Sequence, residues 1–268
     1  NPQIAGFNGL SDALKRLDFK GAVHDTRKFK YICKLLDLLV NDKLTTLSGC
    51  AQKVLFNMIE EVAYHVSTSQ QNPQLLRKLL LQLRALVDCT CWGRPIGSTQ
   101  LWRNHLATIN RVITIANHLQ IHQPEGFPKL MDLPEECVRE VLLRLNDHKD
   151  LESASGAWDA MARLCDEQRI WRELCHFHFT RQQIDKAQTD HRYHNDWRQL
   201  YHKLRKSYGL REDYAEMIQL CRNCRCLFWG GLGHPCRVSS GDDPVMHDQS
   251  SPIYVPIPPH TFLKFFSL

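Results

Sequence analysis

The densest chemistry in the sequence lies toward the C-terminus, where Cys221, Cys224, His234 and Cys236 are packed into sixteen residues. A Cys-x-x-Cys turn presents two thiolates to one tetrahedral ion, and His234 with Cys236 completes a Cys3His zinc set. Gly230, Gly231 and Gly233 let the returning chain bend tightly enough to bring in the second pair. Four protein ligands close the site and leave no position for water or substrate, so the expected role of the zinc is structural. Cys226 can replace one of the four; a redox pair and reduced surface thiols are the other readings. Catalytic patterns are missing elsewhere. Cys175 with His176 and His178 reads as helix-end side chains, and Gly-rich phosphate loops, Gly-x-Ser-x-Gly and His-Glu-x-x-His do not occur.

The background is an ordinary globular one: 268 residues, 43% apolar and 24% charged, with 34 Lys and Arg against 29 Asp and Glu. The basic excess belongs to residues 1–129, where 16 Lys or Arg face 9 Asp or Glu, and the remainder is net −2. Eleven Cys is an odd count, and Cys33, Cys50, Cys137 and Cys175 read as small hydrophobes in apolar surroundings. With no Asn-x-Ser/Thr acceptor, a reducing compartment is expected, cytoplasm or nucleus. No apolar run reaches the roughly 18–20 residues that span a bilayer, and no secretory segment opens the chain. Starting on Asn1 rather than Met, the sequence reads as a fragment.

The elements that must carry these residues are mainly α-helical. Ile32, Leu35, Leu36 and Leu39 lie at offsets 0, 3, 4 and 7, one apolar stripe of an amphipathic helix. Val54, Leu55, Met58, Ile59 and Val62 form a second stripe, and Leu76, Leu79, Leu80, Leu83 and Val87 a third. Trp102, Leu106, Ile109, Ile113 and Ala116 form a fourth, which gives a helical domain over about residues 1–127. Asn72 before Pro73 fits an N-cap followed by proline in the first turn. Arg27, Lys28, Lys30 and Lys34, interleaved with Phe29 and Tyr31, read as a solvated face. Beyond the turn-rich residues 123–128, Leu133-Pro134-Glu135-Glu136 starts a short helix bearing Val138, Val141, Leu142 and Leu145. Asp147-His148-Lys149 is expected to end it. A second helix begins near Asp150-Leu151, and a third carries Trp158 through Leu174.

Leu133-Pro134, the acidic Glu136, Val141, Leu145, Asp150-Leu151 and Trp171 with Leu174 together resemble the F-box, an adaptor-binding helical module, over residues 128–180. The flanks resemble the atrogin (muscle-atrophy F-box) group through Leu17-Asp18-Phe19, the 44–53 stretch, and the 220–236 cysteine cluster. That resemblance implies the substrate-recognition subunit of an SCF ubiquitin ligase, a non-catalytic subunit that presents substrate for degradation. Its F-box would bind the Skp adaptor and, through it, a cullin scaffold and a RING subunit. The residues expected to hold the adaptor are Leu133, Pro134, Val138, Val141, Leu142, Leu145, Leu151, Trp171 and Leu174. A RING needs two zinc ions and about eight ligands, more than the chain's single cluster supplies.

The third part, residues 181–268, is expected to be small and irregular, stapled by zinc. Trp197, Leu200, Tyr201, Leu204 and Tyr208 form a core stripe among basic residues, and the proline-rich stretch 239–259 reads as an extended tether. The apolar tail, with Phe266 two before Leu268, either docks on the helical domain or adds as a strand to a PDZ-type groove. Two competing readings remain open on the residues: a zinc-containing nucleic-acid or chromatin-binding helical protein, and an F-box scaffold outside any ligase.

Overall fold

A computed structural model describes residues 7–90, 98–120, 126, 128–188, 196–234 and 254–266, with the side chains of 86–90 excepted. Cys236 and Leu268 lie outside the described residues, and Val87 is among those whose side chains are excepted. The architecture is mainly α, with thirteen α-helices and one three-stranded sheet among the described residues. The chain divides into two compact units, one of residues 1–122 with 214–268 and one of residues 123–213, rather than into three consecutive parts.

The first unit begins with α1 (Leu10–Arg16), α2 (Phe19–Ala22), α3 (Thr26–Leu38), α4 (Gly49–Ser69), α5 (Pro73–Thr90) and α6 (Thr99–Asn117). Their apolar stripes make its core: Ile32, Leu35, Leu36, Leu55, Val62 and Leu83 have no exposed surface, and Trp102, Ile109 and Val112 are buried with them. Side chains set the starts. Asp25 accepts from the Arg27 N–H, Ser48 from Ala51 and Ser98 from Leu101, each satisfying a donor that a first turn leaves unpaired. Asn72 precedes Pro73 as expected but takes up φ 53. Asp18 caps α2 from the left-handed region at φ 45, and a Cβ at Gly21 would collide with its carboxylate. The basic run is not a plain solvated face. Phe29 and Tyr31 are core residues, and Lys28 pairs with Asp25 at 3.1 Å and lies over the Trp229 ring at 5.4 Å.

The C-terminal elements complete this same unit. β1 (Ile218–Cys221) pairs antiparallel with β2 (Leu227–Trp229) on one side and β3 (Tyr254–Ile257) on the other, in the order β2-β1-β3. The end of the expected tether is therefore a strand. Pro256 is tolerated there because β3 is an edge, where a missing N–H breaks no ladder. Tyr31 Oη donates to the Ile257 carbonyl at 2.9 Å, and Trp229 Nε1 to the Leu17 carbonyl at 2.8 Å. α13 (Pro259–Lys264) follows, with Phe262 fully buried 5.7 Å from the Phe19 ring. The tail thus docks on its own helical unit, and Phe266 packs on Phe262 at 5.2 Å.

The second unit holds α7 (Glu135–Leu142), α8 (His148–Ser155), α9 (Asp159–Cys165), α10 (Gln168–His178), α11 (Arg181–Gln188) and α12 (Trp197–Tyr208). Asp147 opens α8 instead of ending α7, because its carboxylate accepts from the Lys149 N–H at 3.0 Å. The expected third helix is two, broken at Asp166 and Glu167; the freed Cys165 carbonyl takes a 2.8 Å hydrogen bond from Trp171 Nε1. α11 and α12 belong here, with Leu200, Tyr201 and Leu204 buried as the core stripe expected for α12.

Candidate functional site

The second unit is short of partners for its own apolar surface. α7 turns Val138 and Leu142, 3% and 2% exposed, into the core. Beside that face Pro134, Cys137 and Val141, at offsets 0, 3 and 7, are all exposed. Leu130, Met131, Leu133 and Val141 are respectively 41%, 59%, 38% and 45% exposed, a strip of large apolar side chains along residues 130–141 of the sequence. Two ion pairs hold the helix that carries it. Arg139 grips the Glu167 carboxylate with Nε and Nη2 at 2.8–3.0 Å, and Arg163 reaches Glu135 at 3.0 Å. The Arg139 guanidinium keeps the Glu167 carboxyl below the usual range.

The nine residues expected to meet an adaptor therefore divide. Leu133, Pro134 and Val141 lie on the outward strip, and Leu145 is half-buried. Val138, Leu142, Leu151, Trp171 and Leu174 are 3% exposed or less, so they shape and stiffen the module rather than offer surface. Trp171 is its hub, with Tyr201 edge-on at 5.6 Å and the Arg198 guanidinium 5.2 Å above its ring. Behind it, the Arg205 guanidinium donates to His148 Nε2, and His148 Nδ1 stands 3.3 Å from Tyr201 Oη and 3.2 Å from Asp147 Oδ1. That arrangement requires neutral imidazole, and burial with the Arg205 charge lowers the His148 pKa. Leu130 and Met131 were missed in sequence; the signal was an apolar pair before Leu133 that no helical stripe absorbs.

The cysteine cluster sits on the β1–β2 hairpin of the first unit. Cys221 ends β1 and Cys224 lies in the turn, closed by Arg225 N–H to the Cys221 carbonyl at 2.9 Å and Cys221 N–H to the Cys226 carbonyl at 3.0 Å. Arg225 takes the left-handed conformation this turn needs, at φ 57. The chain returns through the glycines as expected: a 3-10 turn spans Gly230–Leu232 and Gly233 has φ 72. Gly231 N–H is anchored on the Glu216 carboxylate at 3.0 Å, and a Cβ there would lie 2.9 Å from both its oxygens. His234 stacks on Phe228 at 4.7 Å and places Nε2 2.9 Å from Cys224 Sγ.

The ligand atoms of Cys221, Cys224 and His234 all lie within 4.8 Å of one another. Zinc with Zn–S of about 2.3 Å and Zn–N of about 2.0 Å separates its tetrahedral ligands by roughly 3.5–3.8 Å, so the three suit one ion. The Cys226 backbone N–H, with the His234, Cys226 and Cys221 side chains, brings the Cys224 thiol down to about 6 against the upward effect of burial. Cys226 stands outside the trio: its Sγ hydrogen-bonds the Cys224 carbonyl at 3.8 Å, and burial raises its pKa. The thiols elsewhere differ from expectation in part. Cys33 and Cys175 are buried and pushed up to about 12, whereas Cys50 and Cys137 are exposed on helix surfaces.

The F-box only protein 32 helical bundle domain matches residues 1–117. F-box only protein 32 of Homo sapiens is 35% identical over 249 residues, covering 88% of this chain and 68% of that protein. F-box only protein 25 of Bos taurus is 30% identical over 266 residues, covering 97% of this chain and 72% of its own length. The chain belongs to the F-box only protein 25 and 32 family. Matches of this length take in both units, so the outward strip and the cysteine hairpin both fall within the family's shared span. No solved structure matches. Among the described residues, no helix of this family member is long and apolar enough to cross a membrane.

Proposed function

We propose that this chain is the substrate-recognition subunit of an SCF-type ubiquitin ligase, with the F-box unit bound to the Skp adaptor and the helical unit holding the substrate. The observation that carries the reading is the set of exposed apolar side chains Leu130, Met131, Leu133, Pro134 and Val141 at the start of a module whose Trp171 core is packed. A partner groove that covers it gains the transfer free energy of those side chains, and the packed Trp171 core presents them on a preorganised frame. Cullin and RING subunits reached through the adaptor perform the ubiquitin transfer, while this chain raises the effective concentration of substrate near the reaction. In the same reading zinc is held by Cys221, Cys224 and His234, with Cys236 as the fourth ligand by sequence, and it clamps the hairpin to the returning chain.

The test is reconstitution with purified Skp adaptor. A one-to-one complex that Val141→Asp abolishes without lowering the melting temperature supports the reading, and a wild-type chain that elutes alone at micromolar concentrations rejects it.

A further inference from the structure

We propose that Cys221 and Cys224 are a site of oxidative modification, at which hydrogen peroxide converts the two zinc-bound thiolates into a disulfide and releases the ion. This rests on the zinc reading of the hairpin and makes the clamp redox-sensitive. Reversible oxidation at sulfur needs access and a second sulfur in reach, and the described cysteines divide on those two conditions. Cys33, Cys165 and Cys175 are buried on helices. Cys50 and Cys137 are exposed but stand alone in sequence, with no neighbouring cysteine to resolve an oxidised sulfur. Cys224 meets both conditions: it is half-buried in the hairpin turn, and the Cys221 sulfur lies within 4.8 Å of its own. The turn is closed on both sides of Cys224 by the Arg225 N–H on the Cys221 carbonyl and the Cys221 N–H on the Cys226 carbonyl, so the pair stays together. Cys226 is the less suited partner, because its Sγ is turned to the Cys224 carbonyl at 3.8 Å.

The accessible sulfur reacts first. The Cys224 thiolate attacks one peroxide oxygen, the O–O bond breaks, and hydroxide leaves as Cys224 becomes a sulfenic acid. The buried Cys221 thiolate then attacks the Cys224 sulfur, the S–S bond forms, and a second hydroxide leaves. Two electrons pass from the sulfurs to the peroxide, and two protons from solvent turn the two hydroxides into water. The chain has then lost two of the ligands that a four-coordinate site requires, and the ion departs as Zn²⁺. What it clamped was the returning chain. β1 and β2 keep their ladder, Trp229 keeps its 2.8 Å bond to the Leu17 carbonyl, and Gly231 stays on Glu216. His234 loses Cys224, 2.9 Å away, and keeps its stack on Phe228, so the segment set loose begins beyond Gly231.

In the test the metal content of the whole chain is measured first, and the chain is then treated with hydrogen peroxide beside a zinc-binding dye. Cysteines are mapped by maleimide labelling and mass spectrometry at each time point. About one zinc per chain should appear in step with loss of the Cys221 and Cys224 thiols and their recovery as one disulfide-linked pair, with Cys33, Cys165 and Cys175 unchanged. A dithiol reductant with added zinc should restore both thiols and metal. By hydrogen exchange, the segment from Leu232 to His234 should open about tenfold faster after oxidation while β1 and β2 hold their protection. Cys226→Ser should form the same disulfide. The proposal is overturned if the ion stays bound while Cys50 is oxidised, if the disulfide joins any other pair, if Cys226→Ser forms none, or if zinc leaves with the two sulfurs overoxidised and unlinked. A zinc-loaded chain that keeps its metal in peroxide overturns this inference alone, whereas a chain purified without zinc removes the zinc reading and this inference with it.

Discussion

The strip outside α7 yields a quantitative expectation for adaptor binding. Fully burying a Val or Leu contributes roughly 1.5–3 kcal/mol. Scaled by the exposed fractions of Leu130, Met131, Leu133 and Val141, that comes to roughly 3–5 kcal/mol available on covering the strip, or about two to four decades of affinity. Leu133→Ala with Val141→Ala removes close to half of this, so the dissociation constant should rise by about 10- to 50-fold. Val141→Asp goes further, because a carboxylate would be buried without a partner, and binding should fall by more than about a hundredfold. Both changes sit at surface already exposed, so melting should move by no more than about 0.5 kcal/mol. Trp171→Ala is the contrast: it empties a fully packed site and should cost about 3–5 kcal/mol of folding stability. Calorimetric titration with purified adaptor beside thermal melts reads both effects. Val141→Asp that binds as tightly as the wild type would sink the assignment of the strip.

Other consequences reach the rest of the molecule. His65, His105, His148 and His202 all have lowered pKa values, chiefly through burial. The unfolded chain then takes up protons first, so stability should be flat above the unfolded value of about 6.5 and fall as pH drops below it toward the lowered native values. Melts at pH 7.5 and 5.5 check this; His148→Asn should reduce the difference, and identical melting temperatures would contradict it. In mass-mapped maleimide labelling Cys50 and Cys137 should react within minutes while Cys33, Cys165 and Cys175 stay protected; equal rates at Cys175 and Cys50 would refute its burial. Cys221→Ser with Cys224→Ser should lose one zinc per chain by elemental analysis, and a wild-type protein free of metal would refute that site. Tyr31→Phe, which deletes a buried hydrogen bond to β3, should destabilise by about 1 kcal/mol in denaturant titration, and no change would show that bond to be idle.

Much of the fold was legible because helical periodicity is a local signal. The stripes from Ile32 to Leu83 and from Leu106 to Ala116 pack as their spacing implied, and the Cys-x-x-Cys turn and the glycine return bring His234 to Cys224. What escaped depended on distant partners. Nothing local to Tyr254–Ile257 announces a strand, since its pairing is supplied by β1 more than thirty residues earlier. The break between α9 and α10 rests on Trp171 satisfying the Cys165 carbonyl, a bond that periodicity cannot reveal. The same limit applies to the residues expected to meet an adaptor. An apolar stripe names what is hidden from water but not by whom, so buried Trp171 and exposed Val141 look alike in sequence.

The most direct test of the account is co-purification of the chain with the Skp adaptor in high salt on a sizing column, with metal measured on the same peak. The account predicts a stoichiometric complex carrying about one zinc per chain. A lone chain that carries zinc and leaves the adaptor in a separate peak would contradict it.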